Sequence, residues 1–129
     1  MHRLTEQQVQ RLTYAIDNAS GHGSLQYIVD GKPACVVAHL AAVEGVADSV
    51  MKRWDDSAFV VLSKPNSPLK SYPIALLQYL QFLWDDTGRT ADMARGCMRK
   101  MVELAASEQF DTVDAYAEKL GLPKIGLNN

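Results

Sequence analysis

Cys35 and His39 are the residues whose types and spacing best suit chemistry in this sequence. They lie four positions apart, so on a helix they would share one face, as a metal-ligand pair or a thiolate–imidazole pair requires. A tetrahedral zinc site needs two more ligands, and Cys97, His2 and His22 stand far away without paired spacing. Small and aliphatic neighbours of Cys35 predict a buried thiol with a raised pKa and weak nucleophilicity. We therefore expect both residues to serve packing, and we expect no catalytic residue, metal or cofactor.

Two further kinds of motif invite a chemical interpretation. The segment Gly21-His22-Gly23-Ser24 is glycine-rich but lacks the pattern of a phosphate-binding loop, so it predicts a flexible loop. We expect His22 to be the most exposed of the three histidines and therefore a candidate contact. Asp55-Asp56 and Asp85-Asp86 each follow a tryptophan, and paired carboxylates can bind Mg²⁺ or serve hydrolysis. Both pairs fall at predicted helix ends, which favours solvation, local capping or contact with an external partner.

The remaining candidates are two charged groups, one basic and one acidic. The basic group lies on the predicted 90–106 helix and just before it, and contains Arg89, Arg95, Arg99 and Lys100. The acidic group follows it along the chain, and contains Glu103, Glu108, Asp111, Asp114 and Glu118, with no Lys or Arg between residues 101 and 118. The candidate partner-binding residues are three of the first group and four of the second: Arg89, Arg95, Arg99, Glu108, Asp111, Asp114 and Glu118.

The spacing on the 90–106 helix predicts that its basic charge is partly taken up within the helix. Asp92 precedes Arg95 by three positions and Glu103 follows Arg99 by four, which are the spacings of intrahelical ion pairs. The alternating methionines and Cys97 are typical of a core or protein-binding face rather than a DNA-recognition helix. The acidic group predicts a solvated face or one that steers the chain toward a basic partner.

Helices are the main elements that must position these residues. Thr5 and Gln8 form a capping box that begins a first helix, which the segment 18–24 ends. Residues 25–29 are strand-like, and residues 30–33 form a turn in which Gly31 supplies a positive φ. The segment 34–44 begins as a short strand or turn and continues as a helix that Gly45 terminates. A short helix over 47–54, a buried strand over 58–62 and a proline-containing loop over 63–71 follow.

The second half of the sequence predicts three helices. Residues 72–86 are apolar nearly all round, so this helix is surrounded by protein, either as the central core helix or with one face in an oligomer interface. Thr90 caps the 90–106 helix, and a last helix follows Asp111 and ends at Gly121. A homo-oligomer formed through the 72–86 or the 90–106 helix is compatible with this pattern.

Composition limits the class of protein. The chain has 129 residues, 47% of them hydrophobic and 22% charged, with a net charge of −2. These values exclude a mainly disordered chain, and they disfavour both a general polyanion binder and a charge mimic of DNA. We predict one compact domain over residues 1–129, α+β and helix-dominated, with about five helices and a small β-hairpin or short antiparallel sheet.

No signal peptide or apolar run of membrane-spanning length is present, and two cysteines suit a cytoplasmic protein with reduced thiols.

The segment from Tyr27 to Leu40 resembles a pattern found in short uncharacterised proteins of bacteriophages and prophages. Its shared features are an aromatic residue leading into Asp-Gly, then Pro, Cys, aliphatic residues and His: Tyr27, Asp30, Gly31, Pro33, Cys35, Val37 and His39. The stretch from Leu77 to Asp85 is similar to their second half. The resemblance implies an accessory protein of a mobile element, a group that includes anti-CRISPR and anti-restriction proteins.

These observations lead to ranked expectations of function. We expect first a non-enzymatic phage-type protein that binds a host protein, such as a defence or transcription factor, and inhibits or redirects it in the host cytoplasm. A DNA- or RNA-associated regulator that uses the basic face of the 90–106 helix comes second. A small enzyme that uses Cys35 or His39 comes third.

Overall fold

The computed structural model describes residues 1–24, 27–30, 32–46 and 69–127. Within these ranges the chain forms five helices and one two-stranded antiparallel sheet. In chain order the elements are α1 Glu6–Asn18, β1 Ile28–Val29, β2 Lys32–Pro33, α2 Val36–Val43, α3 Ile74–Asp85, α4 Ala91–Ser107 and α5 Val113–Lys119. This arrangement confirms the helix-dominated α+β single domain. The predicted helix over 47–54, the strand over 58–62 and the predicted positive φ of Gly31 lie outside the described residues.

Local capping signals set the bounds of the helices. Thr5 accepts a hydrogen bond from the backbone of Gln8, and the Gln8 side chain accepts one from the backbone of Thr5, so the predicted capping box is present. At the end of α2, Gly45 adopts a φ of +91° and donates to Ala42, while Val46 donates to Ala41. These two bonds form a Schellman motif, which satisfies the last carbonyls of the helix.

The sheet is a tight hairpin that leads into α2. Val29 pairs with Lys32 and Ile28 with Pro33, so each strand is two residues long. Of the predicted strand over 25–29, residues 25 and 26 lie outside the described residues. Asp30 opens the turn with a φ of +52°, a conformation that Asp tolerates better than most residues.

Helix α3 lies at the centre of the molecule. Eight of its twelve residues are buried: Ala75, Leu76, Leu77, Tyr79, Leu80, Gln81, Leu83 and Trp84. It packs against α2, α4 and α5, while α1 packs against α2 and α4. This burial within one chain confirms the predicted core helix and leaves Ile74 as its exposed apolar residue. Among the described residues, no helix has both the length and the apolarity needed to cross a membrane.

Candidate functional site

Cys35 lies at the start of α2 and His39 one turn into that helix. Cys35 is the buried N-cap residue, and its Sγ accepts a hydrogen bond from the backbone N–H of Ala38 at 3.4 Å. Burial raises the pKa of this thiol to about 12, so the thiol stays protonated at neutral pH. Burial also lowers the pKa of His39, because it disfavours the charged imidazolium. In the described ranges, no three His, Cys, Asp or Glu side chains gather closely enough to hold a metal ion.

His22 is held in a junction between its loop and the end of α3. Its ring packs edge-on against Trp84, with centroids 5.1 Å apart, and its Nε2 lies 3.1 Å from the carbonyl oxygen of Asp86. The expectation that His22 is the most exposed of the three histidines is wrong: it is half-buried, whereas His2 is exposed. The tryptophan is the physical reason, because its ring covers one edge of the imidazole.

Arg95 closes the carboxyl end of α1. Its Nε donates to the carbonyl oxygen of Ile16 at 3.2 Å, and its Nη2 donates to that of Ala19 at 2.7 Å. The guanidinium carbon also lies 4.9 Å from the ring centroid of Trp84, and Nη1 lies 3.5 Å from Asp92. The predicted Asp92–Arg95 pair is therefore present, but the stronger contacts of Arg95 join α4 to α1.

The other two arginines of the basic group are also engaged within the chain. Arg89 forms an ion pair with Asp86 at 2.7 Å, and Arg99 forms one with Asp17 on α1. The sequence predicted that Arg99 pairs with Glu103 one turn along its own helix, which is wrong because Asp17 of the neighbouring helix takes that place. The basic group is therefore not a free surface: it joins α4 to α1 and to the end of α3.

The acidic group divides into exposed carboxylates and one structural carboxylate. Glu108, Asp111 and Glu118 are exposed, and we call these three residues the acidic surface. Glu118 lies 3.9 Å from Lys124, a solvent-exposed pair that contributes little stability. Asp114 instead accepts hydrogen bonds from the backbone N–H groups of residues 125 and 126, at 3.1 and 2.9 Å. Asp114 therefore holds the C-terminal segment 122–127 in place. This structural role distinguishes Asp114 from the three exposed carboxylates.

The two described members of the acidic pairs have different surroundings. Asp86 caps the turn after α3, since its side chain accepts from the backbone of Gly88 at 2.9 Å and pairs with Arg89. Asp85 is half-buried and accepts a hydrogen bond from Gln81 Nε2 at 2.8 Å. Burial raises the pKa of the Asp85 carboxyl despite this bond. Asp55 and Asp56 lie outside the described residues.

A cleft between α3 and the C-terminal segment was missed by the sequence reasoning. Its volume is about 290 Å³, and its lining residues are Gln78, Gln81, Phe82 and Asp85 on one side and Ile125 and Leu127 on the other. The four α3 residues follow the spacing i, i+3, i+4 and i+7, which places them on one helix face. The signal available in the sequence was the set of polar residues that interrupts an otherwise apolar helix.

A larger groove of about 590 Å³ lies at the start of α3, where Met1, His2 and the segment 70–75 line it together with Gln78. Its base is fixed by Glu44, which accepts from the Tyr72 hydroxyl and pairs with Arg11, both at 2.6 Å. Burial and the Glu44 hydrogen bond raise the pKa of Tyr72 well above its usual range. The side chains of His2 and Lys70 are exposed, and the buried Tyr72 hydroxyl already donates to Glu44, so no unpaired buried polar atom of the described residues lines this groove.

Comparison of the chain with protein-family models, with curated proteins and with solved structures found no match. The candidate sites therefore stand on geometry alone: an acidic surface, and a cleft beside α3.

Proposed function

We propose that this chain is a non-enzymatic accessory protein that binds another protein through its acidic surface and thereby inhibits or redirects that protein. The observation that supports this proposal is that the arginines of the basic group make more contacts within the chain than the carboxylates of the acidic surface do. Arg89, Arg95 and Arg99 are each held by an ion pair or hydrogen bonds within the chain. Glu108 and Asp111 are exposed and have no ion pair among the described residues, and Glu118 has only a solvent-exposed contact with Lys124 at 3.9 Å.

Exposed charge of one sign acts on association more than on stability. Side chains that are merely solvated contribute little to the free energy of unfolding, usually within about 0.5 kcal/mol. The same charges raise the association rate toward a surface of opposite sign, and salt screens this effect. The partner chemistry that fits is therefore a basic protein surface. The resemblance to phage proteins points to a bacterial host protein, such as a defence or transcription factor.

The alternative of a nucleic-acid-associated regulator receives less support. It requires a basic face on α4 that is free to neutralise phosphates. Of the four cations in that group, Lys100 is the exposed one for which the described residues provide no ion pair. The basic group therefore offers Lys100 as its one cation without an ion pair among the described residues, whereas the acidic surface carries three carboxylates. These carboxylates repel phosphate groups.

The experiment compares two variants with the same change in net charge. The first neutralises the acidic surface with Glu108→Gln, Asp111→Asn and Glu118→Gln, which raises the net charge by three. The matched control raises it equally on the exposed face of α1, through Glu6→Gln, Gln7→Lys and Gln10→Lys. Asp114 stays unchanged in both variants because it fastens the C-terminal segment.

Tagged wild-type protein and both variants are used to capture partners from a bacterial lysate, after thermal melts have shown that all three are folded. We expect a basic partner to be captured by the wild type and the control, and to be lost with the neutralised variant. The association rate with the purified partner should fall as salt rises. Equal capture by all three proteins would contradict the proposal, and salt-dependent nucleic-acid binding of the wild type would favour the alternative.

A further inference from the structure

Two hydrogen-bond acceptors of the cleft beside α3 lack full partners among the residues that the structure describes. Gln81 is only 2% exposed, and its Oε1 is buried with no hydrogen-bond partner in that part of the chain. Asp85 is half-buried, and the described part of the chain gives its carboxylate one hydrogen bond, from Gln81, and no ion pair. Buried polar groups are normally satisfied, so an unpaired one that lines a cleft calls for an explanation.

Either orientation of the Gln81 amide leaves one of its polar groups without a hydrogen-bond partner. If the amide turned by 180°, its oxygen would face the Asp85 carboxylate and its NH₂ group would lose its partner. His22 acts electrostatically on Asp85, but its Nε2 is engaged with the carbonyl oxygen of Asp86. No further donor from the described residues reaches either acceptor, so a donor that enters the cleft would satisfy both.

We propose that this cleft binds a guanidinium or ammonium group carried on a short aliphatic stem. The two acceptors lie one helical turn apart on α3 and demand a donor, and the carboxylate demands a positive one. Phe82, Ile125 and Leu127 supply apolar walls for the stem. The aromatic ring adds a surface that attracts cations, and a planar guanidinium with several N–H groups suits two acceptors best.

The size of the cleft agrees with this class of ligand. A volume of about 290 Å³ is near the lower limit of ligand pockets, roughly 300 Å³, and far above the ~30 Å³ of one water molecule. This volume is large enough for the end of an arginine-like chain. The inference goes beyond the proposed function, because none of the cleft residues belongs to the acidic surface.

The test uses the full chain and three small probes. Butylguanidinium, butylammonium and the neutral butylurea, which has nearly the shape of butylguanidinium, are titrated separately while backbone amide shifts are recorded by NMR. We expect saturable shifts at residues 78–85 and 125–127 with both cations, tighter for butylguanidinium. Binding of butylurea should be at least about tenfold weaker because it lacks the charge.

Two variants and one control connect the binding to these acceptors. Gln81→Met and Asp85→Asn should each weaken butylguanidinium binding by about tenfold or more while the protein stays folded. Glu6→Gln removes an equal charge at an exposed position on α1 and should leave the affinity unchanged. The proposal is overturned if butylurea binds as well as butylguanidinium, if no probe gives saturable shifts at the cleft, or if Glu6→Gln weakens binding as much as Asp85→Asn.

The cationic group has two candidate sources, an arginine side chain of another protein and a free organic cation. Titration with a peptide distinguishes them. The capped tripeptide Ala-Arg-Ala carries the same guanidinium on a peptide backbone. If it binds more tightly than butylguanidinium, the ligand is an arginine side chain of a protein, and if it binds less tightly, the ligand is a free organic cation. Both results support the cleft as a cation site.

Discussion

Replacement of Arg95 by methionine should be the most damaging surface substitution on α4. The carbonyl oxygen of Ile16 lacks the usual helical donor, because the N–H of Ser20 donates instead to Ala34 at 2.8 Å. Arg95 supplies the missing donor to Ile16 and a second donor to Ala19, the C-cap residue of α1. A positive charge at this position also interacts favourably with the carboxyl end of the helix dipole.

The size of the effect follows from these contacts. A hydrogen bond from a charged donor contributes about 1.5–3 kcal/mol, and a cation–π contact of the kind made with Trp84 adds about 0.5–2 kcal/mol. The contributions are not additive, and 23% of the Arg95 side chain is exposed, so we expect Arg95→Met to cost about 3 kcal/mol. With a urea m-value of about 1.5 kcal/mol/M, the unfolding midpoint should fall by about 2 M.

Arg99→Met is the matched control, since it removes the same charge one turn further along α4. The ion pair of Arg99 with Asp17 is about 44% exposed on both sides, and exposed pairs contribute about 0.2–1 kcal/mol. Its midpoint should therefore fall by less than about 0.7 M in the same urea titration. If Arg95→Met costs no more than Arg99→Met, Arg95 does not close the end of α1 and the reasoning is refuted.

Three further predictions concern the core, one carboxyl group and the thiols. Leu80 is fully buried, so Leu80→Ala should cost about 2–5 kcal/mol in denaturant titrations, whereas Ile74→Ala, at a 40% exposed position, should cost much less; equal midpoints for the two variants would contradict the central place of α3. Burial raises the pKa of Asp85, so the folded chain binds this proton more tightly than the unfolded chain. That contribution to stability is fully present below about pH 4 and is lost as the pH rises through the raised pKa. Asp85→Asn should therefore be more stable than wild type at pH 7, with a difference that shrinks at pH 3, and a constant difference across this range would exclude the titration of Asp85 as its cause. Cys35 is buried with a pKa of about 12 and Cys97 is half-buried, so iodoacetamide at pH 8 should label Cys97 first. If mass spectrometry shows that both thiols are labelled at the same rate, the burial of Cys35 is refuted.

The parts of the fold that the sequence predicted depend on residues within about one helical turn of each other. The capping box of Thr5 and Gln8, the N-cap at Thr90 and the glycines that end α2 and α5 are all present. Each signal acts through backbone groups three or four positions away, so no knowledge of the tertiary structure is needed to recognise it. The apolar pattern of residues 72–86 likewise required burial on most sides wherever the helix was placed.

The partners of the charged side chains depended on the tertiary structure. The sequence offered Arg99 a carboxylate four residues away, but the observed partner is Asp17, 82 positions away in the chain. Arg95 bonds to carbonyl oxygens 79 and 76 positions away. An intrahelical pair contributes only about 0.2–0.5 kcal/mol, so a long arginine side chain is easily redirected once α1 lies beside α4.

The candidate sites divide in the same way. The acidic surface was visible in the sequence as carboxylates in a stretch without Lys or Arg, and Glu108, Asp111 and Glu118 are exposed in the fold. Asp114 was misplaced, since the C-terminal segment returns to it. The cleft was not visible, because its two walls come from α3 and from residues 125 and 127. Packing of the C-terminal segment 122–127 against α3 creates the cleft, and the described residues leave Gln81 Oε1 buried without a donor. Spacing along the sequence encodes neither result.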